Sequence, residues 1–134
     1  MNMTRTNDSS AIQQVLADQY KAWARGDADA FVADYAEDAT VIMPGTYRRN
    51  KEEVRQGMTS SFATVLKNTS VTDALQDIRF LSPDFAIAVS KAGILFADET
   101  EVPANRLVNA TWVLQKCDER WLVRAYHNSP ADPD

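Results

Sequence analysis

The sequence predicts an α+β domain in which three N-terminal helices pack on a curved antiparallel β-sheet that encloses a pocket. Two observations support this fold class. Apolar residues recur at helical spacing in the first half of the chain, and four β-rich runs separated by turns follow from residue 69 onward. Helices followed by a meander are typical of α+β domains. A curved sheet folded over helices tends to leave a pocket at its open end.

The length of 134 residues suits one domain, which we assign to residues 1–134. The ordered core should cover about residues 9–129, with a frayed tail at each end.

The first helix should begin after a cap at Asp8, Ser9 or Ser10 and should end at Gly26. The residues that recur on one of its faces are Ile12, Leu16, Gln19, Tyr20 and Trp23.

A second, short helix should follow a cap at Asp27, with Phe31 and Tyr35 four residues apart on one face. The run "ATVIM" at residues 39–43 then predicts a short strand, which Pro44 and Gly45 end.

A third helix is predicted over residues 50–66. Asn50 and Glu53 have the spacing of a capping box, with Asn in place of Ser or Thr. The helix carries an i, i+4 stripe of Val54, Met58, Phe62 and Leu66, which is typical of a face packed against a core.

Four strands are predicted over residues 69–81, 85–97, 103–116 and 121–128. "SPD" at residues 82–84 and "CDE" at residues 117–119 are short connections, so the strands that they join should pair as hairpins. "ADETEVP" is a longer loop between the second and third of these strands.

Composition excludes several function classes. The formal net charge of −5 argues against nucleic acid and anionic membranes as partners. No apolar run approaches the roughly 20 residues of a membrane span, and the N-terminus lacks the apolar stretch of a secretory signal, so we expect a cytoplasmic protein. One histidine and one cysteine cannot close a tetrahedral metal site, and the glycines are scattered, so no metal and no cofactor are predicted.

Two stretches, "GDADAFVADYAEDATVIMPG" and "RWLVRAYHNSP", carry a family resemblance. Together they resemble the nuclear transport factor 2-like (SnoaL-like) superfamily, whose fold is a cone-shaped α+β domain. Within it the chain looks most like the SgcJ/EcaC-type branch, small proteins associated with enediyne and other polyketide biosynthesis. The resemblance covers roughly residues 9–129, with a departure at Asn50, where most members of the branch have glycine.

The resemblance also allows a test against ketosteroid isomerases, which share this fold. Their catalytic carboxylate precedes the proline of the motif, and that position is Met43 here. Their protonated aspartate matches Trp112, and their helix-one tyrosine matches Gln19. Because a thioether cannot abstract a proton at neutral pH, isomerisation of that type is rejected.

In place of those groups, we expect a broad apolar and aromatic wall that suits an extended unsaturated ligand. Its members are Trp23, Tyr35, Met43, Met58, Phe62 and Trp112. The alternative is that these side chains simply fill a closed core.

The last strand has two alternating faces, and the sequence leaves open which one points inward. Hydrophobicity favours the face of Trp121, Val123, Ala125 and His127, whereas the resemblance favours that of Leu122, Arg124, Tyr126 and Asn128. We follow the resemblance, because period-2 patterns mislead when both faces are buried.

On that interpretation the cavity gains a cation at Arg124, a hydroxyl at Tyr126 and an amide at Asn128. Arg124 could instead form a surface salt bridge with Asp118 or Glu119. His127 would lie at a dimer interface or at the pocket rim.

Other polar residues are weaker candidates for the ligand site. Asp73 and Asp77 should share one face of their strand, facing solvent, and the basic stretch "YRRNK" at residues 47–51 should be a solvated loop.

Three functions remain open. The first is a pocket protein of enediyne or polyketide biosynthesis that binds an apolar unsaturated intermediate and assists its cyclisation or tailoring. The second is a small cyclase, isomerase or hydrolase, with Arg124 or His127 as weak catalytic candidates or an acidic residue as base. The third is a non-catalytic interaction module. A homodimer through the outer face of the sheet, with Trp121 and Val123, is expected to accompany any of them.

Overall fold

A computed structural model describes residues 3–132 of the chain, with side chains from residue 7 onward. The described chain contains three α-helices and six β-strands, with the third helix between the second and third strands. A 3₁₀ helix, Ala104–Arg106, precedes the fifth strand. The helices are α1 (Met3–Arg25), α2 (Ala28–Phe31) and α3 (Lys51–Ala63). The strands are β1 (Tyr35–Met43), β2 (Thr46–Arg48), β3 (Ser70–Ser82), β4 (Phe85–Leu95), β5 (Val108–Cys117) and β6 (Arg120–Pro130).

The strands form one six-stranded sheet in the order β2-β1-β6-β5-β4-β3. The predicted hairpins β3–β4 and β5–β6 are present, and β4 also pairs antiparallel with β5. The β1–β6 pair is parallel, and it joins the first strand to the end of the meander. The α+β class with three helices on a curved, mostly antiparallel sheet is therefore confirmed, and β2 is a strand that the sequence did not predict.

The first helix starts earlier than predicted, at Met3 rather than after a cap at residues 8–10. Asp8 lies inside α1 and is buried. Its carboxylate accepts a hydrogen bond from Trp121 Nε1 at 3.1 Å and pairs with Lys116 Nζ at 3.1 Å. Asp8 thus joins α1 to the β5–β6 hairpin, and a pairing so distant in sequence cannot be read from local helix signals.

The second helix has the predicted cap, since the Asp27 side chain accepts a hydrogen bond from the amide of Ala30 at 3.0 Å. It ends sooner than predicted, and Tyr35 belongs to β1. The rings of Phe31 and Tyr35 still meet, with centroids 5.8 Å apart, because the turn between α2 and β1 is short.

The third helix has the predicted Asn50 cap, which accepts a hydrogen bond from the amide of Glu53 at 2.9 Å. The reciprocal bond of a capping box is shifted by one residue, because the Glu53 carboxylate accepts from the amide of Arg49 at 2.8 Å. Val54, Met58 and Phe62 are buried as expected. The helix ends at Ala63, three residues short of the prediction, and Leu66 packs on the core from the following turn.

The final strand changes face in its middle. Val113 of β5 is opposite Ala125, whereas the next residue, Leu114, is opposite Val123. Arg124 is therefore an extra residue on β6, a β-bulge that reverses the alternation of side chains.

Because of the bulge, each proposed assignment of the strand's faces is right for one half of it. Before the bulge, Trp121 and Val123 point inward, exposed by 3% and 0%. After it, Tyr126 and Asn128 point inward to the cavity described below. The expectation that Trp121 and Val123 lie on the outer face is wrong, since Trp121 contacts α1 through Asp8.

Within residues 3–132, no helix combines the length and the apolar character that a membrane span requires.

Candidate ligand-binding cavity

A cavity of about 280 Å³ lies between the helices and the inner face of the sheet. Helix α1 supplies Tyr20 and Trp23, helix α3 supplies Val54, Met58 and Ser61, and each of the six strands contributes at least one residue. The lining residues are Tyr20, Trp23, Phe31, Tyr35, Val41, Met43, Arg48, Val54, Met58, Ser61, Val65, Leu66, Val71, Ala92, Gly93, Ile94, Arg106, Val108, Trp112, Tyr126 and Asn128. The volume is close to the lower end of ordinary ligand sites, about 300 Å³, which suits a small molecule.

Seven of the ten residues predicted for ligand binding line this cavity: Trp23, Tyr35, Met43, Met58, Trp112, Tyr126 and Asn128. Helical spacing on α1 and α3 and alternation along β5 account for Trp23, Met58 and Trp112, and the other four lie on β1 and β6. The expected open interior is present, because the apolar stripes surround a space rather than filling it.

The other three predicted residues are not among those that line the cavity. Gln19 is buried behind Tyr35, whose hydroxyl donates to Gln19 Oε1 at 3.0 Å. Phe62 packs edge-on against Trp23, with ring centroids 5.6 Å apart, and so supports the wall from behind.

The third of these residues, Arg124, corrects the expectation of a cation in the cavity. At the bulge of β6, its guanidinium pairs with Asp38 Oδ1 of β1 at 2.8 Å. The partner is thus neither Asp118 nor Glu119. His127, the other weak catalytic candidate, is exposed and is opposite Ile42 and Thr111 on the outer side of the sheet.

The wall of the cavity is mainly aromatic. The rings of Trp112 and Tyr126 lie 4.2 Å apart, and Tyr20 meets Trp112 edge-on at 6.5 Å. Trp23 meets Phe31 at 5.9 Å, and its indole N–H donates to Thr69 at 2.8 Å. Interlocked rings of this kind offer a large, rigid apolar contact surface at little cost in entropy.

Three tyrosine hydroxyls are among the polar groups of the cavity. Tyr20 donates to Asp73 Oδ2 at 2.7 Å, and the hydroxyl oxygen of Tyr126 accepts a hydrogen bond from Asn128 Nδ2 at 2.8 Å. Burial raises the pKa of Tyr20, Tyr35 and Tyr126, and the Asp73 charge raises that of Tyr20 further. These hydroxyls therefore stay protonated at neutral pH and act as hydrogen-bonding groups rather than as bases.

Asp73 was expected to share a solvent face with Asp77, and this is wrong. The register of β3 shifts between Leu75 and Asp77. The bulge turns Asp73 inward toward Tyr20 and leaves Asp77 outside, 3.7 Å from Arg79.

Two arginines of the lining were not predicted, Arg48 and Arg106. The stretch at residues 47–51 was expected to be a solvated loop, yet Arg48 ends β2 with its side chain against the cavity. A signal was present in the sequence: Gly57 lies inside α3, and a β-carbon there would lie 2.5 Å from Arg48 Cζ. The glycine leaves room for the guanidinium.

Three buried polar groups have no hydrogen-bond partner among the described residues. They are Trp112 Nε1, Gln19 Nε2 and Ser90 Oγ, on side chains exposed by 2%, 3% and 0%. An unpaired buried donor destabilises a fold, so this part of the interior is polar without being fully satisfied.

The described lining contains no Asp, Glu or His side chain. Met43 and Trp112, at the isomerase catalytic positions, face the cavity as predicted. The arrangement can hold and orient an apolar molecule and can donate hydrogen bonds to it, but none of these groups is a base at neutral pH.

The family profile of the SnoaL-like domain matches residues 12–133. No curated protein sequence matches the chain. A solved domain of unknown function with a cystatin-like fold from Nostoc punctiforme is 27% identical, with a TM-score of 0.87, and the match covers 95% of this chain and 79% of that one.

Two further solved structures share the fold at lower identity. A putative scytalone dehydratase from Novosphingobium aromaticivorans is 16% identical, with a TM-score of 0.75 and coverage of 98% of this chain and 89% of that one. A ketosteroid isomerase-like protein from Erwinia carotovora is 21% identical, with a TM-score of 0.72 and coverage of 92% and 96%. At these identities the likeness establishes the cystatin-like (nuclear transport factor 2-like) fold alone.

Proposed function

The chain belongs to the SnoaL-like domain family, and on that basis we propose that it is a pocket protein of natural-product biosynthesis. It binds an apolar, unsaturated intermediate of polyketide or enediyne type in its cavity and assists the folding, cyclisation or tailoring of that molecule. The observation that carries the proposal is the aromatic and methionine-lined cavity without a carboxylate or imidazole in its described lining.

The chemistry of the wall supports an unsaturated ligand over a saturated or polar one. Aromatic rings such as those of Trp23 and Trp112 stack on conjugated systems. The thioethers of Met43 and Met58 are polarisable and adapt to irregular shapes. Because the lining offers hydrogen-bond donors but no base, its contribution to a reaction is the orientation of the bound chain.

The experiment is a titration with a neutral conjugated polyene, the methyl ester of decatetraenoic acid, followed by tryptophan fluorescence. Trp23 and Trp112 line the cavity, so saturable quenching is expected. The test variant is Ser61→Phe, which adds a ring at the lining of α3, and the matched control is Ser60→Phe, which adds it at an exposed neighbouring position. Quenching that is absent from the wild type, or that survives Ser61→Phe unchanged, would overturn the proposal.

We also propose that the protein is a cytoplasmic homodimer that associates through the outer face of the sheet. That face carries several apolar side chains: Ile42 is 43% exposed, and Ile87, Val113 and Ala125 are partly exposed. Strand pairing sets Val113 between Ile87 and Ala125, at the middle of the face. Exposed apolar side chains on neighbouring strands of one face make that face a candidate association site.

Sedimentation at micromolar concentration tests the dimer. Val113→Glu should produce monomers, because it buries a charge at the middle of the contact. The control is Leu81→Glu, a charge placed at a residue that is already 64% exposed near the end of β3. A monomeric wild type would contradict the dimer and would leave the cavity proposal to its own test.

A further inference from the structure

The two arginines that line the cavity differ in how their charges are balanced. Arg106 pairs with the Glu99 carboxylate, donates to the carbonyl of Ile94 at 2.9 Å and lies over the ring of Phe96 at 4.2 Å. Its guanidinium is therefore neutralised and held in place by the protein itself.

Arg48 has no such partner. Among the described side chains, residues 7–132, no carboxylate lies within salt-bridge distance of it, and its one hydrogen bond is a contact of Nη1 with Met58 Sδ at 3.4 Å. A thioether is a weak acceptor. Most of the donors of this guanidinium are therefore without an acceptor from the described chain.

Arg48 lies at the wall of the cavity and is half-buried. Its burial lowers the pKa of Arg48, and its charge acts on the pKa of the fully buried Tyr35 across the cavity wall. Gly57 leaves a seat for the group on α3: a β-carbon at position 57 would lie 2.5 Å from Cζ and 2.7 Å from Nε, so the flexible Arg48 side chain would have to shift. A glycine inside a helix costs about 1 kcal/mol, so this seat is maintained at the expense of helix stability.

We propose that Arg48 binds the carboxylate of the cavity's ligand, so that the substrate class is an apolar, unsaturated carboxylic acid. A planar guanidinium matches a carboxylate with two parallel hydrogen bonds. The apolar part of the acid lies along Trp23, Trp112 and Met43, and its charged end is held at Arg48 beside α3. This inference rests on the proposed function, because it assigns the polar end of the same ligand.

The test compares decatetraenoic acid with its methyl ester, which keeps the polyene and removes the charge. The wild-type protein should bind the acid at least about tenfold more tightly than the ester, because charge-assisted hydrogen bonds add to the same apolar contact. Arg48→Met should abolish that preference by weakening only the acid.

Arg124→Met is the matched control. It removes the same charge and inserts the same side chain, but outside the cavity, where Arg124 pairs with Asp38. It should leave the dissociation constants of the acid and the ester unchanged. Gly57→Ala is a second test variant that keeps the charge and displaces the guanidinium, and it should also reduce the preference for the acid.

The outcomes separate this inference from the proposed function. Equal binding of acid and ester by the wild type, or a preference that survives in Arg48→Met, would overturn the carboxylate site while the apolar cavity stood. A preference that is lost equally in Arg124→Met would show a general charge effect and would also overturn it. Failure of both probes to bind would overturn the two proposals together.

Discussion

Arg124 of β6 pairs with Asp38 of β1 at 2.8 Å, and each residue lies where its strand departs from regular pairing. Arg124 is the extra residue of the β6 bulge. Asp38 lies in the segment of β1 where the register against β6 shifts, between Tyr35 and Thr40. The ion pair thus joins two irregular segments on the outside of the sheet. The bulge that places Arg124 on the outside also turns Tyr126 inward. The outer ion pair and the inner Tyr126 hydroxyl therefore have the same structural cause.

Arg124→Met should change stability little. The pair is partly exposed, and isolated surface ion pairs contribute at most about 1 kcal/mol. We expect the free energy of unfolding from urea denaturation to fall by less than about 1 kcal/mol, with an unchanged denaturant dependence. A loss of several kcal/mol would mean that the ion pair, and not the backbone pairing, maintains the bulge.

The features of the fold that the sequence predicts correctly are those determined by residues close together in the chain. The Asn50 cap, the stripe of α3 and the hairpin turns are local, and the structure has them. The bulges at Arg124 and between Leu75 and Asp77 are set by packing across strands, and each reverses which side chains face the cavity. Strict alternation therefore placed Asp73 on the wrong side of β3, and the family resemblance, extended along β6 by the same alternation, placed Arg124 in the cavity.

The sequence analysis did not place Arg48 at the cavity, and the reason is different. Nothing around Arg48 in the sequence distinguishes it from its neighbour Arg49, which pairs with Glu53 on the surface. The informative residue is Gly57, nine positions later, whose missing side chain has a reason only when β2 and α3 are seen together. A glycine inside an otherwise regular helix is a sequence signal for a close approach by another group.

Tyr20→Phe should destabilise the protein by about 1.5–3 kcal/mol, the usual worth of a hydrogen bond to a charged group. The substitution removes the donor to Asp73 at 2.7 Å and leaves that inward carboxylate unpaired. Urea denaturation measures the loss. Tyr47→Phe, at a ring that is 64% exposed, should stay within about 0.5 kcal/mol of the wild type. Equal effects of the two substitutions would show that the Tyr20–Asp73 bond contributes nothing.

The effects of Gly57→Ala and Arg48→Ala on the free energy of unfolding should not add. Alanine at position 57 gains about 1 kcal/mol of helix propensity. In the wild type this gain is partly offset, because the guanidinium of Arg48 must move away from the new β-carbon. In the Arg48→Ala background the overlap is gone, and Gly57→Ala should then stabilise by about 1 kcal/mol. A double-mutant cycle by urea denaturation measures the coupling, and additive effects would contradict the proposed seat on α3.

Stability should fall steeply in alkali. Burial raises the pKa of Tyr20, Tyr35 and Tyr126 in the folded state, whereas tyrosines in the unfolded chain titrate near 10. Below about pH 10 these residues are protonated in both states and their contribution is constant. Above it, the unfolded state loses protons that the folded state keeps. Each tyrosine should then lower the free energy of unfolding by up to about 1.4 kcal/mol per pH unit, until the pH reaches its folded pKa.

Tyr35→Phe tests whether the tyrosines cause this dependence of the free energy of unfolding on pH, because it removes one of the three titrating groups. Urea denaturation between about pH 9 and 11 should give a slope reduced by up to about 1.4 kcal/mol per pH unit relative to the wild type. The absorbance of tyrosinate should appear at the unfolding transition and not before it for the buried rings, because the phenols ionise only once the cavity opens. An unchanged slope in Tyr35→Phe would contradict a buried, protonated Tyr35 in the folded protein.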